Sequence, residues 1–271
     1  MSDAPIAIFD SGVGGLTVMA AIARRLPQER LVYLGDTARL PYGTKSAETV
    51  TRYAVQATRA LMRFEPKVIV VACNTASSVA LPALTQAFAP VPVVGVVEPG
   101  ARAAVAASTS SVIAVIATEG TVRGGAYLRA IHALSPKAQV VQRACPLFVA
   151  LAEEGWTSGP VPEQAAKRYL EDIFGNFDSP DTLVLGCTHF PLLAAAIAKV
   201  AGENVTLVDS AATTALEIER LLNERALRRR AGAQAPLFMG TDAPERFARV
   251  GSLFLGTTIA PDQVELVDLA P

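Results

Sequence analysis

The chain has 271 residues, 51% hydrophobic and 18% charged, which is enough apolar material for one large core or two smaller ones. A net charge of -1 gives no general reason to bind nucleic acid, and no apolar run is long enough to span a bilayer. Three cysteines without CxxC spacing and only two histidines, His132 and His189, argue against a disulfide framework and a metal site.

The amino terminus, Met1-Ser2-Asp3-Ala4-Pro5, lacks the basic-then-apolar pattern of a secretion signal, so a cytoplasmic location is expected. The first apolar run, 5–9, reads as a strand and leads into Asp10-Ser11-Gly12-Val13-Gly14-Gly15-Leu16-Thr17. A glycine-rich turn between strand and helix suits either a tight turn alone or an anion held by backbone N–H groups. It is not a dinucleotide site, because Thr17 stands where the third glycine belongs, and no Gly-Lys-Ser/Thr follows as in a Walker loop. So short a turn fits a small carboxylate better than a pyrophosphate. Asp10, at the strand end, would lie close to any ligand.

A second strand is expected at 30–34, then a helix over 46–64 whose face carries Val50, Tyr53, Ala54, Ala57 and Leu61. The third strand, 68–72, ends at Cys73-Asn74-Thr75. Strands at 92–97, 112–116 and 138–142 follow, and then Cys145, whose apolar neighbours mark it as structural. A strand at 182–186 ends at Cys187-Thr188-His189, and a last one is expected at 205–208. Arg225, Arg228, Arg229 and Arg230 close a predicted helix and read as a solvated end that complements its dipole.

Continuous apolar strands alternating with helices predict an α/β fold with mainly parallel sheets covered on both faces. The pattern also repeats. Ile6–Gly12 resembles Ile113–Gly120, the Cys73 strand resembles the Cys187 strand, and Val96–Ala101 resembles Leu207–Ala212. Two pseudo-symmetric, doubly wound domains are therefore expected: 1–97 plus 208–271, and 98–207. The active site is expected in the cleft between them, at the carboxyl ends of the strands.

Two thiols in equivalent places suit proton removal at a stereocentre and its return from the opposite side. One cysteine must act as thiolate base while the other is a protonated acid. A thiol pKa of ~8.5 is reasonably matched to this near neutrality. Asn74, Thr75 and Thr188 supply donors for a carboxylate, and His189, two residues from Cys187, can share its site.

The motifs Phe9–Gly15, Gly35–Ala38, Pro41–Gly43, Ala72–Ser77, Gly95–Gly100, Ala117–Thr121, Cys145–Val149 and Gly186–Pro191 together resemble those of the glutamate racemases. The resemblance covers nearly the whole chain and fades after about residue 225. It implies a cofactor-independent isomerase that interconverts L- and D-glutamate and supplies D-glutamate for bacterial peptidoglycan. It implies Cys73 and Cys187 as acid–base catalysts, with Asp10 assisting the first and His189 with Glu153 the second. Substrate contacts would fall on Asp10, Ser11, Tyr42, Gly43, Asn74, Thr75, Thr118, Thr121, Thr188 and His189, with Asp36 a looser support for Cys73. Homodimers are common in that family.

Two departures stand out. Ala150-Leu151-Ala152-Glu153 replaces a common Pro-Leu-Val-Glu and is followed by a second acid, Glu154. Gly125 stands where a serine is common, which would loosen the helix after Thr121. A racemase of aspartate or of a hydantoin is the nearest alternative. A cysteine hydrolase would leave the second thiol unexplained, and a small-acid binding module would explain neither.

Overall fold

Ten strands build two sheets in the computed structural model, which describes residues 3–174, 179–230, 232 and 234–269. They are β1 (Ile6–Asp10), β2 (Leu31–Gly35), β3 (Val68–Val71), β4 (Val93–Gly95), β5 (Val112–Ala117), β6 (Gln139–Ala144), β7 (Thr182–Gly186), β8 (Thr206–Asp209), β9 (Leu237–Gly240) and β10 (Val264–Leu266). The first sheet runs β10-β9-β2-β1-β3-β4 and the second β6-β5-β7-β8, with every pairing parallel. Strands β1, β2, β3 and β7 are buried at every residue, as expected where helices cover both faces.

The order β2-β1-β3-β4 recurs as β6-β5-β7-β8, so the repeat read in the sequence is a repeat of topology. Strand β3 carries Cys73 beyond its end and β7 carries Cys187, each beside the central strand of its sheet. Register sets the level of these ends. Phe9 pairs with Val71, and the Ala72 N–H donates to Phe9 O at 2.8 Å, which puts Ser11 and Cys73 at one height, one residue beyond Asp10. Ala117 pairs with Gly186, which does the same for Thr118 and Cys187.

All eight expected strands form, with ends shifted by a residue or two. Strands β9 and β10 were not anticipated; both add to the first sheet beyond β2. Strand β4 stops at Gly95 because the helix Val97–Ala107 takes over the residues that follow. The arginine cluster also differs from expectation. The helix Ser210–Glu224 ends before it, and Arg229 is only 7% exposed, donating to Asp3 Oδ1 and Gln28 O. Gly125 adopts φ +62° and separates the helices Glu119–Gly124 and Ala126–Leu134, so it breaks the helix instead of loosening it.

The helix Ser210–Glu224 packs on both Leu16–Arg25 and Val97–Ala107 and forms the seam between the halves. No helix among the described residues is long and apolar enough to cross a membrane.

Candidate active site

Cys73 is the N-cap of the helix Asn74–Val79, and its Sγ accepts the Ala76 N–H at 3.4 Å. A helix starts here because Cys73, two residues beyond β3, has a side chain that can satisfy one of the orphan N–H groups. Cys187 likewise follows β7 directly. Both thiols are buried from bulk water yet line one cleft of about 330 Å3. Nine of the other expected residues line it too: Ser11, Tyr42, Gly43, Asn74, Thr75, Thr118, Glu153, Thr188 and His189. Asp10 and Thr121 do not line it but bond to residues that do, Asp10 to Gly12 and Thr121 to Thr75 and Thr118.

The Cys187 side is a chain of contacts. His189 Nδ1 lies 3.8 Å from Cys187 Sγ and 3.2 Å from Thr188 Oγ1, while Nε2 meets Glu153 Oε1 at 3.1 Å. Glu153 Oε2 accepts from Arg246 Nη2 at 2.7 Å. Burial works against a charged imidazole, but the bonds and charges of Cys187 and Glu153 outweigh it and raise His189 to about 10. Burial would likewise raise Glu153, yet His189 and then Arg246 hold it down to about 2. Glu154 only caps the helix Leu147–Glu153 and does not line the cleft.

The Cys73 side is different. Burial, then the neighbouring Asp10 carboxylate, pushes the Cys73 thiol up to about 12, against bonds from Ser11 and the Ala76 N–H. Asp10 is itself raised by burial, offset by the charge of His189 and by backbone N–H groups of its own turn. Its Oδ2 accepts the Gly12 N–H at 2.9 Å, and its buried Oδ1 has no hydrogen-bond partner.

Donors for an anion gather at the cleft wall. Tyr127 donates to Asn74 Oδ1 at 2.8 Å, which leaves the buried Asn74 Nδ2 without an acceptor. The hydroxyls of Thr75, Thr118 and Thr121 lie 3.0 to 3.2 Å from one another. Tyr42 lines the cleft with its ring and backbone, while its hydroxyl donates to Asp36 Oδ2 at 2.5 Å. Asp36 also accepts from Arg39 and Thr241, so it pins the Pro41–Gly43 loop and does not line the cleft.

Leu40, Pro41, Pro146, Val149 and Ala150 also line the cleft and were not anticipated. Helical spacing could have found part of this wall, since Pro146, Val149 or Ala150, and Glu153 fall on one face. Gly14 shows how tightly the halves meet. A Cβ there would collide with the His189 ring and Thr188 Oγ1. Among the described residues no group of three His, Cys, Asp or Glu side chains could hold a metal ion.

Residues 12–218 match the family described as Asp/Glu/Hydantoin racemase. The chain is 52% identical to a glutamate racemase of Geobacter metallireducens over 252 residues, covering 93% of this chain and 92% of that one. The chain belongs to the glutamate racemases. It is accordingly an amino-acid racemase, an isomerase. A glutamate racemase isoform of Bacillus anthracis superposes with a TM-score of 0.93 at 38% identity, covering 98% of both chains. A glutamate racemase of Francisella tularensis, solved in complex with D-glutamate, gives 0.91 at 36% identity over 99% of both.

Proposed function

We propose that this protein interconverts L- and D-glutamate without a cofactor by passing the α-proton between Cys73 and Cys187. The observation that carries the reading is that two thiols, ending equivalent strands of two repeats, line the same cleft. One thiol removes the α-proton from one face of the substrate, and the other returns a proton from the opposite face. On this reading residues 1–97 with 208–271 form one domain, 98–207 the other, and the substrate lies between them.

The flanking groups suit different tasks. With a thiol at about 12, Cys73 is protonated near neutrality and needs a positive charge nearby before it can act as base. The substrate α-ammonium would supply that charge, with the unpartnered Asp10 Oδ1 as its acceptor. Asn74 Nδ2, Thr188 and the threonine hydroxyls suit carboxylate oxygens. Asp10 and Ser11 serve Cys73, whereas His189, held by Glu153, serves as the proton partner of Cys187. Closing the cleft around the substrate would strip water from the α-carbon and strengthen each of these interactions.

The relative solved with D-glutamate supports glutamate as substrate over aspartate or a hydantoin. The product would feed peptidoglycan synthesis in the cytoplasm, and a homodimer is the assembly the resemblance implies. The test is incubation of purified protein with L-glutamate in deuterated water, with no added cofactor. Loss of optical rotation with α-deuterium uptake is expected. A protein that exchanges no α-proton of glutamate would end this reading.

A further inference from the structure

We infer that Arg246 is a positioning residue for the Cys187 half of the reaction, holding Glu153 and, through it, His189 from the other half of the chain. The inference rests on the two-thiol reading above. Arg246 lies on the helix Pro244–Leu255, which follows β9 of the first sheet and packs on Leu16–Arg25 and β10. Glu153 and His189 belong to the connections of the second sheet, so the Arg246–Glu153 ion pair crosses between the two halves.

A carboxylate bonded through one oxygen turns easily about its terminal torsion, which has broad, two-fold preferences. Glu153 is bonded through both, to His189 Nε2 by Oε1 and to Arg246 Nη2 by Oε2. The same helix adds a second restraint. Residues 246, 250 and 254 share one face by helical spacing. Phe254 meets the His189 ring nearly edge-on, with centroids 4.9 Å apart and planes at 71°. One helix of the first half therefore fixes the carboxylate that holds the imidazole and one side of the imidazole itself. Those two restraints aim Nδ1 at the Cys187 sulfur.

Among the described residues no ion pair from the other half holds the group beside Cys73. Asp10, beside Cys73, is held by backbone N–H groups of its own turn. Losing Arg246 should thus weaken the Cys187 side directly, while the Cys73 side feels His189 only through its charge on Asp10. Its side chain is 44% exposed, so replacing it opens no core.

Rates alone cannot show this handedness. The two enantiomers are equal in free energy, so kcat/KM must fall equally in both directions for every variant. Primary isotope effects can show it. Each enantiomer loses its α-proton to one thiol, and a weakened thiol makes its own removal step more limiting. With α-deuterated L- and D-glutamate, Arg246→Gln should raise the effect on one enantiomer and lower it on the other. The direction should match that of Cys187→Ser and oppose that of Cys73→Ser. kcat/KM should fall by up to about a hundredfold, the scale set by misplacing a reacting group. Arg246→Lys should restore part of the loss, and it carries the same test if the glutamine variant does not fold.

Wild-type isotope effects in Arg246→Gln, or equal changes for both enantiomers, would overturn the inference while leaving the two-thiol reading in place. A wild-type protein that does not racemise glutamate would remove both.

Discussion

Tyr127 and Asn74, from different halves of the chain, are joined by a buried hydrogen bond of 2.8 Å that fixes which end of the Asn74 amide stays unpartnered. The tyrosine occupies the carbonyl oxygen, and the buried amide nitrogen has no hydrogen-bond partner. Tyr127→Phe should raise KM for glutamate roughly fivefold to tenfold, the effect of ~1 kcal/mol, with a smaller change in kcat. Steady-state kinetics in both directions would check it. An unchanged KM would mean that Asn74 does not bind the substrate.

Gly14 has to lack a side chain because the turn after β1 presses on the turn after β7. Thr17 strengthens the same contact by donating to Thr188 O at 3.1 Å. Gly14→Ala should destabilise the protein by about 1–3 kcal/mol through overpacking and should displace His189. Thermal unfolding and kcat/KM should therefore fall together. A variant with wild-type values of both would show that the two turns can part without consequence.

The imidazole of His189 stands at about 10 in the folded chain against an ordinary 6.5. A raised value means that the folded state binds the proton more tightly than the unfolded one. The stability gained is complete below pH 6.5 and drains away as pH rises through 10. Glu153, lowered from 4.5 to about 2, contributes stability above pH 4.5 that is lost as pH falls through 2. The difference in thermal midpoint between wild type and His189→Asn should shrink steadily from pH 6.5 to 10. A difference that stays constant with pH would contradict the charged imidazole.

Cys145 is buried and does not line the cleft; its sulfur is 3.8 Å from Arg143 O, and its thiol is pushed up to about 12 by burial. It belongs to packing. Cys145→Ala should cost about 1 kcal/mol of stability and change kcat/KM by less than about twofold. A large loss of activity in a folded variant would require a third thiol in the chemistry.

The parallel α/β pattern and both thiols were legible because buried parallel strands are continuous apolar runs, and each cysteine closes one. Strands β9 and β10 were not. Leu237–Gly240 and Val264–Leu266 are too short to carry a period, and only their pairing beside β2 makes them strands. His189 could be placed with Cys187 from local spacing. Arg246 could not, because its partner lies 93 residues away and nothing local to it signals chemistry. The bond that takes the Tyr42 hydroxyl, to Asp36, is internal and has no local signal in the sequence. The arginine cluster misled for a similar reason. A run of basic residues suggests solvent, but Arg229 found acceptors in the folded chain.

The most direct measurement of the two-thiol account is the pair of primary isotope effects, on α-deuterated L- and D-glutamate, for Cys73→Ser and Cys187→Ser. The account predicts that each substitution raises the effect on the enantiomer whose proton that residue removes and lowers it on the other, so the two variants show opposite patterns. Variants that share one pattern, or that both keep wild-type rates and isotope effects, would contradict it.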